Sequence, residues 1–333
     1  MYEITVRHTN NASASAVHAD GLAKRYGELW ALRDLDLDVP AGTVLGLLGH
    51  NGAGKTTTIR ILTTLAEPTT GRAFVAGLDV VADAARVRAR IGLTGQYATV
   101  DDLLTARANL EMIGLLYHLP RAAARKRADE LLERLTLSDA ADRLVKTFSG
   151  GMRRRLDLAA SLIANPPVLF LDEPTTGLDP ESRREVWEML GELVADGATL
   201  ILTTQYLDEA DGTADQIIVL DRGRIAAEGT PSELKARIGG ERIEVSLDSP
   251  DQVEIASEAL RPFADGPIAA EAGGIVTPAR PGTRLIEVVR ALDIAGVDAS
   301  DVHRREPTLD DVFLTLTGKR QRDPEPELME TTA

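Results

Sequence analysis

With 333 residues, 44% of them hydrophobic, the chain can bury the core of one large domain and a smaller one. It has no cysteine, which excludes a disulfide framework, thiolate zinc sites, cysteine-ligated iron–sulfur clusters and a cysteine nucleophile, and this fits a cytosolic protein. The formal net charge of −15 sets bulk electrostatics against nucleic acid and anionic lipid, so nucleic acid is not expected as a partner and either contact would need a local basic patch.

Residues 1–16 carry Glu3, Arg7 and an Asn10-Asn11 pair where a secretory segment would be apolar, and they read as a disordered polar N-terminus. From 17 to 238, short apolar runs (Val44 to Leu48, Val168 to Leu171, Thr199 to Leu202, Ile217 to Leu220) alternate with helical stretches such as Pro180 to Asp196. Continuous apolar runs of strand length between helices predict an α/β domain built on a mainly parallel sheet covered on both faces. Between about 94 and 165 this rhythm gives way to successive helices, Leu103 to Tyr117, Ala122 to Leu135 and Gly150 to Ala164, which predict an inserted helical subdomain. The longest uncharged stretch of this region, between Asp157 and Asp172, is broken by Asn165, Pro166 and Pro167 and is too short to span a bilayer. Gly239-Gly240 closes a short helix, and 241–318 alternates strand and helix as a small α+β domain. Its end, Thr308 to Thr317, places Leu309, Val312, Phe313 and Leu316 on one helical face behind a Thr308/Asp311 capping box. The Pro-rich stretch 319–333 reads as a disordered tail.

The run Gly49-His50-Asn51-Gly52-Ala53-Gly54-Lys55-Thr56-Thr57 follows an apolar strand and opens a helix, the setting of a phosphate-binding P-loop. There the glycines let backbone N–H groups turn inward, the helix N-terminus adds partial positive charge, Lys55 reaches the β and γ phosphates, and the Thr56 hydroxyl ligates Mg²⁺. The strand Val168 to Leu171 runs into Asp172 and Glu173. Alternation along a strand gives these carboxylates different directions, so that one can face Mg²⁺ and the other an attacking water. A second anion site is expected at Ser149-Gly150-Gly151, which opens the helix continuing Met152-Arg153-Arg154-Arg155. Three arginines near a helix N-terminus oppose its dipole and call for an acidic partner or a phosphate.

With these motifs the sequence resembles the ABC ATPase family, in which the signature segment, here Phe148 to Met152 in place of Leu-Ser-Gly-Gly-Gln, closes over the nucleotide held by the other subunit's P-loop. The resemblance implies that Tyr26 stacks on adenine, that Gln96 contacts Mg²⁺ and links nucleotide to the helical subdomain, that Asp172 serves the metal and Glu173 is the catalytic base, and that Asp179, in Gly177-Leu178-Asp179, lies on the dimer interface. Where the family places a γ-phosphate-contacting His, this chain has Gln205, which can donate a hydrogen bond but carries no charge. His50 stands where the family has Pro. Ser-Gly-Gly-Met-Arg-Arg-Arg-Leu, Thr-Thr-Gln-Tyr-Leu-Asp-Glu-Ala and the terminal Leu309 to Gly318 are similar to the daunorubicin/doxorubicin-resistance ATP-binding subunits.

This resemblance implies an ATPase with ATP and Mg²⁺ as cofactors. It would act as a self-dimer with composite ATP sites, peripheral on the cytoplasmic side of the cell membrane, and drive efflux of a hydrophobic drug or antibiotic through a separate membrane-spanning permease. Two other readings compete with it. A soluble ABC protein acting on ribosomes or DNA is disfavoured by the single cassette, the absence of sustained heptads and the acidic composition. A weakly hydrolytic nucleotide switch is motivated by Gln205 and countered by Glu173.

Overall fold

The computed structural model describes residues 15–95, 100–204, 206–238, 240–271 and 273–317. Two compact units divide at Thr230/Pro231. In the first, β1 (Ser15–Tyr26), β2 (Leu29–Pro40) and β3 (Val44–Leu48) lead into α1 (Lys55–Leu62), followed by β4 (Thr70–Val75), β5 (Leu78–Asp79), α2 (Ala84–Arg88) and β6 (Ile91–Thr94). The helical stretch is α3 (Ala106–Leu116), α4 (Arg121–Arg134) and α5 (Gly150–Leu162). After it come β7 (Val168–Asp172), α6 (Pro180–Ala195), β8 (Thr199–Thr203), α7 (Leu207–Thr213), β9 (Gln216–Asp221) and β10 (Arg224–Gly229).

Two sheets organise this unit. The larger has the order β10-β9-β3-β8-β7-β6, parallel throughout except for β10, which returns antiparallel to β9. All five residues of each of β3, β7 and β8 are buried, which is why their sequences are continuously apolar rather than alternating. The smaller sheet, β2-β1-β4-β5, is antiparallel and separate. A single parallel sheet is therefore not the whole α/β layer. In β2, buried Leu35, Leu37 and Val39 alternate with exposed Asp34, Asp36 and Asp38, a period-two pattern that marks a sheet with one wet face. Helix α1 touches strands of both sheets and joins their cores, with Ile59, Ile61 and Leu62 in the same cluster as Leu22, Leu35, Leu47 and Phe170. Each such buried side chain contributes roughly 1.5–3 kcal/mol.

The second unit is α8 (Pro231–Arg237), β11 (Arg242–Leu247), α9 (Val253–Leu260), β12 (Ala269–Glu271), β13 (Gly274–Pro278), α10 (Leu285–Ile294), β14 (Ala299–Arg305) and α11 (Leu309–Thr317). Its antiparallel sheet has the order β12-β13-β11-β14, and Ile243, Val245, Leu260, Val288 and Leu292 share its core. The sequence pattern groups α8 with the first domain, but its contacts are with α11. Leu309, Val312 and Phe313 are buried while Leu316, in the last turn, is partly exposed.

At the N-terminus of α11 the Thr308 N–H donates to Asp311 Oδ2 (2.8 Å) and the Asp311 N–H returns a bond to Thr308 Oγ1 (3.4 Å), the reciprocal cap expected from the spacing. Arg305 also grips Asp311 with two guanidinium nitrogens, at 2.6 and 3.2 Å, and donates to Glu244 at 2.6 Å. Burial alone would push the Asp311 carboxyl up, but hydrogen bonds from Arg305 and Thr308 outweigh it and hold the group below the ordinary carboxylate value. A depressed folded pKa stabilises the fold above the unfolded value of about 3.9 and loses that stabilisation as pH falls through the folded one. Asp311→Ala takes two bonds from Arg305, leaving it Glu244, and removes the carboxylate facing the buried Arg242, so it should cost about 3 kcal/mol near neutral pH. Denaturant unfolding of both proteins should show the gap narrowing below about pH 4.

Candidate active site

The sheet register explains how motifs far apart in sequence meet. Leu47 of β3 pairs with Thr203 of β8, and Thr203 pairs with Asp172 of β7. Thr94 of β6 pairs with Leu171. Four neighbouring parallel strands thus end side by side, in the order P-loop, Thr203-Thr204, Asp172-Glu173 and Gly95. Ligands of open α/β sheets bind at such carboxyl ends.

The P-loop begins where β3 ends. Gly49, Gly52 and Gly54 all have positive φ, and Gly54 forms the N-cap of α1 at φ 114° without a side-chain cap. A Cβ on Gly54 would lie 2.8 Å from the Ala31 carbonyl oxygen, so glycine is required both by conformation and by the close approach of β2. Helix geometry leaves the N–H groups of the first turn, Lys55, Thr56 and Thr57, without intrahelical acceptors. Ala53 is buried, while Asn51, Gly52 and Thr56 are exposed. Lys55 is buried and its ammonium donates to the Gly49 carbonyl and, at 3.4 Å, to that of His50. Burial lowers its pKa, against the coulombic pull of Glu173 and Asp172. His50 bridges Asp221 Oδ1 (2.8 Å) through Nε2 and the Asn51 carbonyl (2.7 Å) through Nδ1, tying the loop to the end of β9. Tyr26 stands at the tip of the β1–β2 hairpin, 47% exposed, with the Lys24 ammonium 5.1 Å from its ring centre.

Asp172 and Glu173 differ for a reason beyond strand alternation. Asp172 is the last residue of β7, is buried, and accepts a hydrogen bond from the Thr203 hydroxyl. Burial raises its pKa and Glu173 adds to this, while Thr203, Lys55 and Arg154 oppose it. At Glu173 the chain leaves the strand with φ 51°, a left-handed conformation that a non-glycine residue adopts only under local constraint. The Glu173 N–H donates to the Thr203 carbonyl and hydroxyl, each at 3.1 Å, and its carboxylate accepts from the Thr176 hydroxyl at 3.3 Å.

Ser149 caps α5 by accepting from the Met152 N–H at 3.3 Å, a role that uses an oxygen lone pair and not the hydroxyl proton. Gly150 is exposed, and Gly151 is pressed against α6, where a Cβ would come within 2.6 Å of Ser182 Oγ. Asp179 caps α6, accepting from the Ser182 N–H (3.0 Å) and hydroxyl (2.7 Å), bonds that hold its carboxyl below the usual range. Each of the three arginines finds a partner in its own chain. Arg153 pairs with Asp102, Arg155 with Glu185 at 3.3 Å, and Arg154 turns into the site. Gln96 and Gln205 lie outside the described residues.

One group the sequence reading passed over is Glu209, buried in α7. It accepts from Thr175 (2.8 Å) and Thr204 (3.2 Å) and faces Arg183 at 3.2 Å, whose guanidinium stacks 4.1 Å from the Tyr206 ring centre. Burial raises its carboxyl pKa, with Thr175 foremost among the opposing bonds. The loop after β7 and the loop after β8 are thereby tied to one carboxylate.

Residues 32–176 match the family model described as ABC transporter. A daunorubicin resistance ATP-binding protein of Streptomyces coeruleorubidus is 56% identical over 93% of this chain and 97% of its own length. The chain belongs to the ATP-binding subunit family of ABC transporters. A second relative, a daunorubicin/doxorubicin resistance ATP-binding protein of Streptomyces peucetius, is 47% identical over 93% of this chain and 94% of its own. Among solved structures, a dimeric ATP-binding cassette in a post-hydrolysis state with ADP and phosphate superposes with a TM-score of 0.59, at 27% identity, over 64% of this chain and 98% of its own. The ABC subunit described here binds ATP and is an ATPase, and among its described residues no helix is long and apolar enough to cross a membrane.

Proposed function

We propose that this ATPase is the motor of a drug exporter and that two copies bind two ATP molecules between them. The P-loop and the Asp172-Glu173 pair of one copy would face Ser149, Gly150, Gly151 and Met152 of the other across each nucleotide, with Asp179 near the junction. The observation that carries the proposal is the alignment of four strand ends, which puts the Lys55 ammonium within electrostatic reach of both carboxylates. In this reading Lys55 and the first-turn N–H groups bind the phosphates, Tyr26 stacks on the base, and Glu173 orients and deprotonates the attacking water.

The donor set fits Mg²⁺, a hard cation that prefers oxygen, with the exposed Thr56 hydroxyl in the first turn of α1, the Asp172 carboxylate at the end of β7 and Gln96 as a third candidate. When bound, the ion neutralises charge on the phosphates. Thr203, by holding one Asp172 oxygen, leaves the other free to serve it.

The export role is supported by the drug-resistance relatives. A membrane partner is supported by an exposed apolar row on α3, Met112, Leu115 and Leu116, with Leu103 nearby in sequence, at a spacing that places the helical residues on one face. Such a partner would hold the chain peripheral to the membrane, on the cytoplasmic side. The test is ATP-dependent accumulation of daunorubicin in everted vesicles containing this chain and its candidate permease, and its absence in vesicles lacking either protein. Accumulation that ignores ATP, or that persists without this chain, would overturn the export reading.

A further inference from the structure

Arg154 projects from the second turn of α5 into the turn that holds Glu173. Its Nε donates to the Pro174 carbonyl (2.6 Å), one terminal nitrogen to the Gly95 carbonyl (3.0 Å), and the other to the carbonyls of Glu173 (2.9 Å) and Asp172 (3.3 Å). Three successive carbonyls, from residues 172 to 174, therefore converge on one cation. In an extended strand successive carbonyls alternate in direction, so this convergence needs a turn, and the left-handed φ of 51° at Glu173 supplies it. Aligned carbonyl dipoles repel one another. A planar guanidinium with five fixed donors is the side chain that offsets that repulsion and fixes the geometry, whereas an ammonium would be a point charge.

We infer that Arg154 is a positioning residue for hydrolysis: it clamps the backbone of Glu173 so that the carboxylate meets the attacking water, and it rigidly links that carboxylate to the helix opened by Ser149 and Gly150. This rests on the assignment of Glu173 as base and on the two-copy arrangement proposed above. Because α5 presents its N-terminus to the nucleotide of the other copy, the clamp makes the state of one ATP site depend on closure of the other. Burial lowers the Arg154 pKa while Asp157, Asp172 and Glu173 pull it back, as expected for a charge held among its partners.

The purified full chain tests this with Mg-ATP. Arg154→Met keeps the length and removes every donor, so kcat should fall about a hundredfold while the ATP concentration for half-saturation changes less than about twofold. Arg154→Lys, which retains the charge, should recover part of kcat. Adding Arg154→Met to Glu173→Gln should cause no further loss, because a clamp acts only through the group it positions. An Arg154→Met protein at wild-type kcat, a loss of ATP affinity in step with turnover, or additive effects in the double variant would each overturn the inference. Wild-type turnover in Glu173→Gln alone would instead remove the base assignment beneath it.

Discussion

Glu173→Gln should still bind ATP but hydrolyse it roughly two to four orders of magnitude more slowly than the wild type. The amide preserves the shape of the side chain and its contact with the Thr176 hydroxyl, and it removes the negative charge and with it the capacity to take a proton from water. Because the Glu173 backbone is held by the Thr203 carbonyl and hydroxyl and by Arg154, the substitution should leave the φ of 51° in place, so the loss reads chemistry rather than folding. Steady-state phosphate release measures the rate. Gel filtration with ATP should show an ATP-trapped dimer, and a monomer turning over at the wild-type rate would refute the role.

Lys55→Ala should lose ATP binding and turnover together. The ammonium is already positioned by the Gly49 and His50 carbonyls at the loop a phosphate would occupy, and charge-assisted bonds to phosphate are worth about 1.5–3 kcal/mol each. Two such bonds amount to at least a hundredfold in affinity by the rule of about 1.4 kcal/mol per decade. In the protein without nucleotide the same charge is a cost, because burial is the largest influence on it and disfavours the charged form. Equilibrium binding of a fluorescent ATP analogue should disappear in the Ala variant. Near-normal turnover would remove the P-loop assignment.

How much of this was legible in the sequence varies from element to element. The P-loop could be read because its function depends on local chain geometry, with glycines at positions of positive φ, a lysine at the helix start and a strand before it. The signature was equally local, since Ser149 caps its own helix. The smaller antiparallel sheet went unread although Leu35, Leu37 and Val39 alternate with aspartates, because that alternation lay among the continuous apolar runs of the parallel sheet. The Thr308/Asp311 cap was legible, whereas the clasp by Arg305 was not, because its bond to Glu244 spans 61 positions.

The sequence by itself determined the chemistry available: a lysine and backbone amides for phosphate, two carboxylates ending an apolar strand, a second helix start for an anion, and glutamine where the family has histidine. Only the tertiary structure decided which of these groups meet. Strand order carries that information, because β8 lies between β3 and β7 and brings Thr203 to Asp172 across 31 positions of sequence. It also decided what the arginines of α5 do. Their spacing says only that positive charge sits against a helix dipole, and the fold gives Arg153 and Arg155 to carboxylates and Arg154 to four carbonyls. A carbonyl looks the same at every position of a sequence, so a bond to one becomes visible only when backbone conformation, here the left-handed turn at Glu173, aims it at a donor.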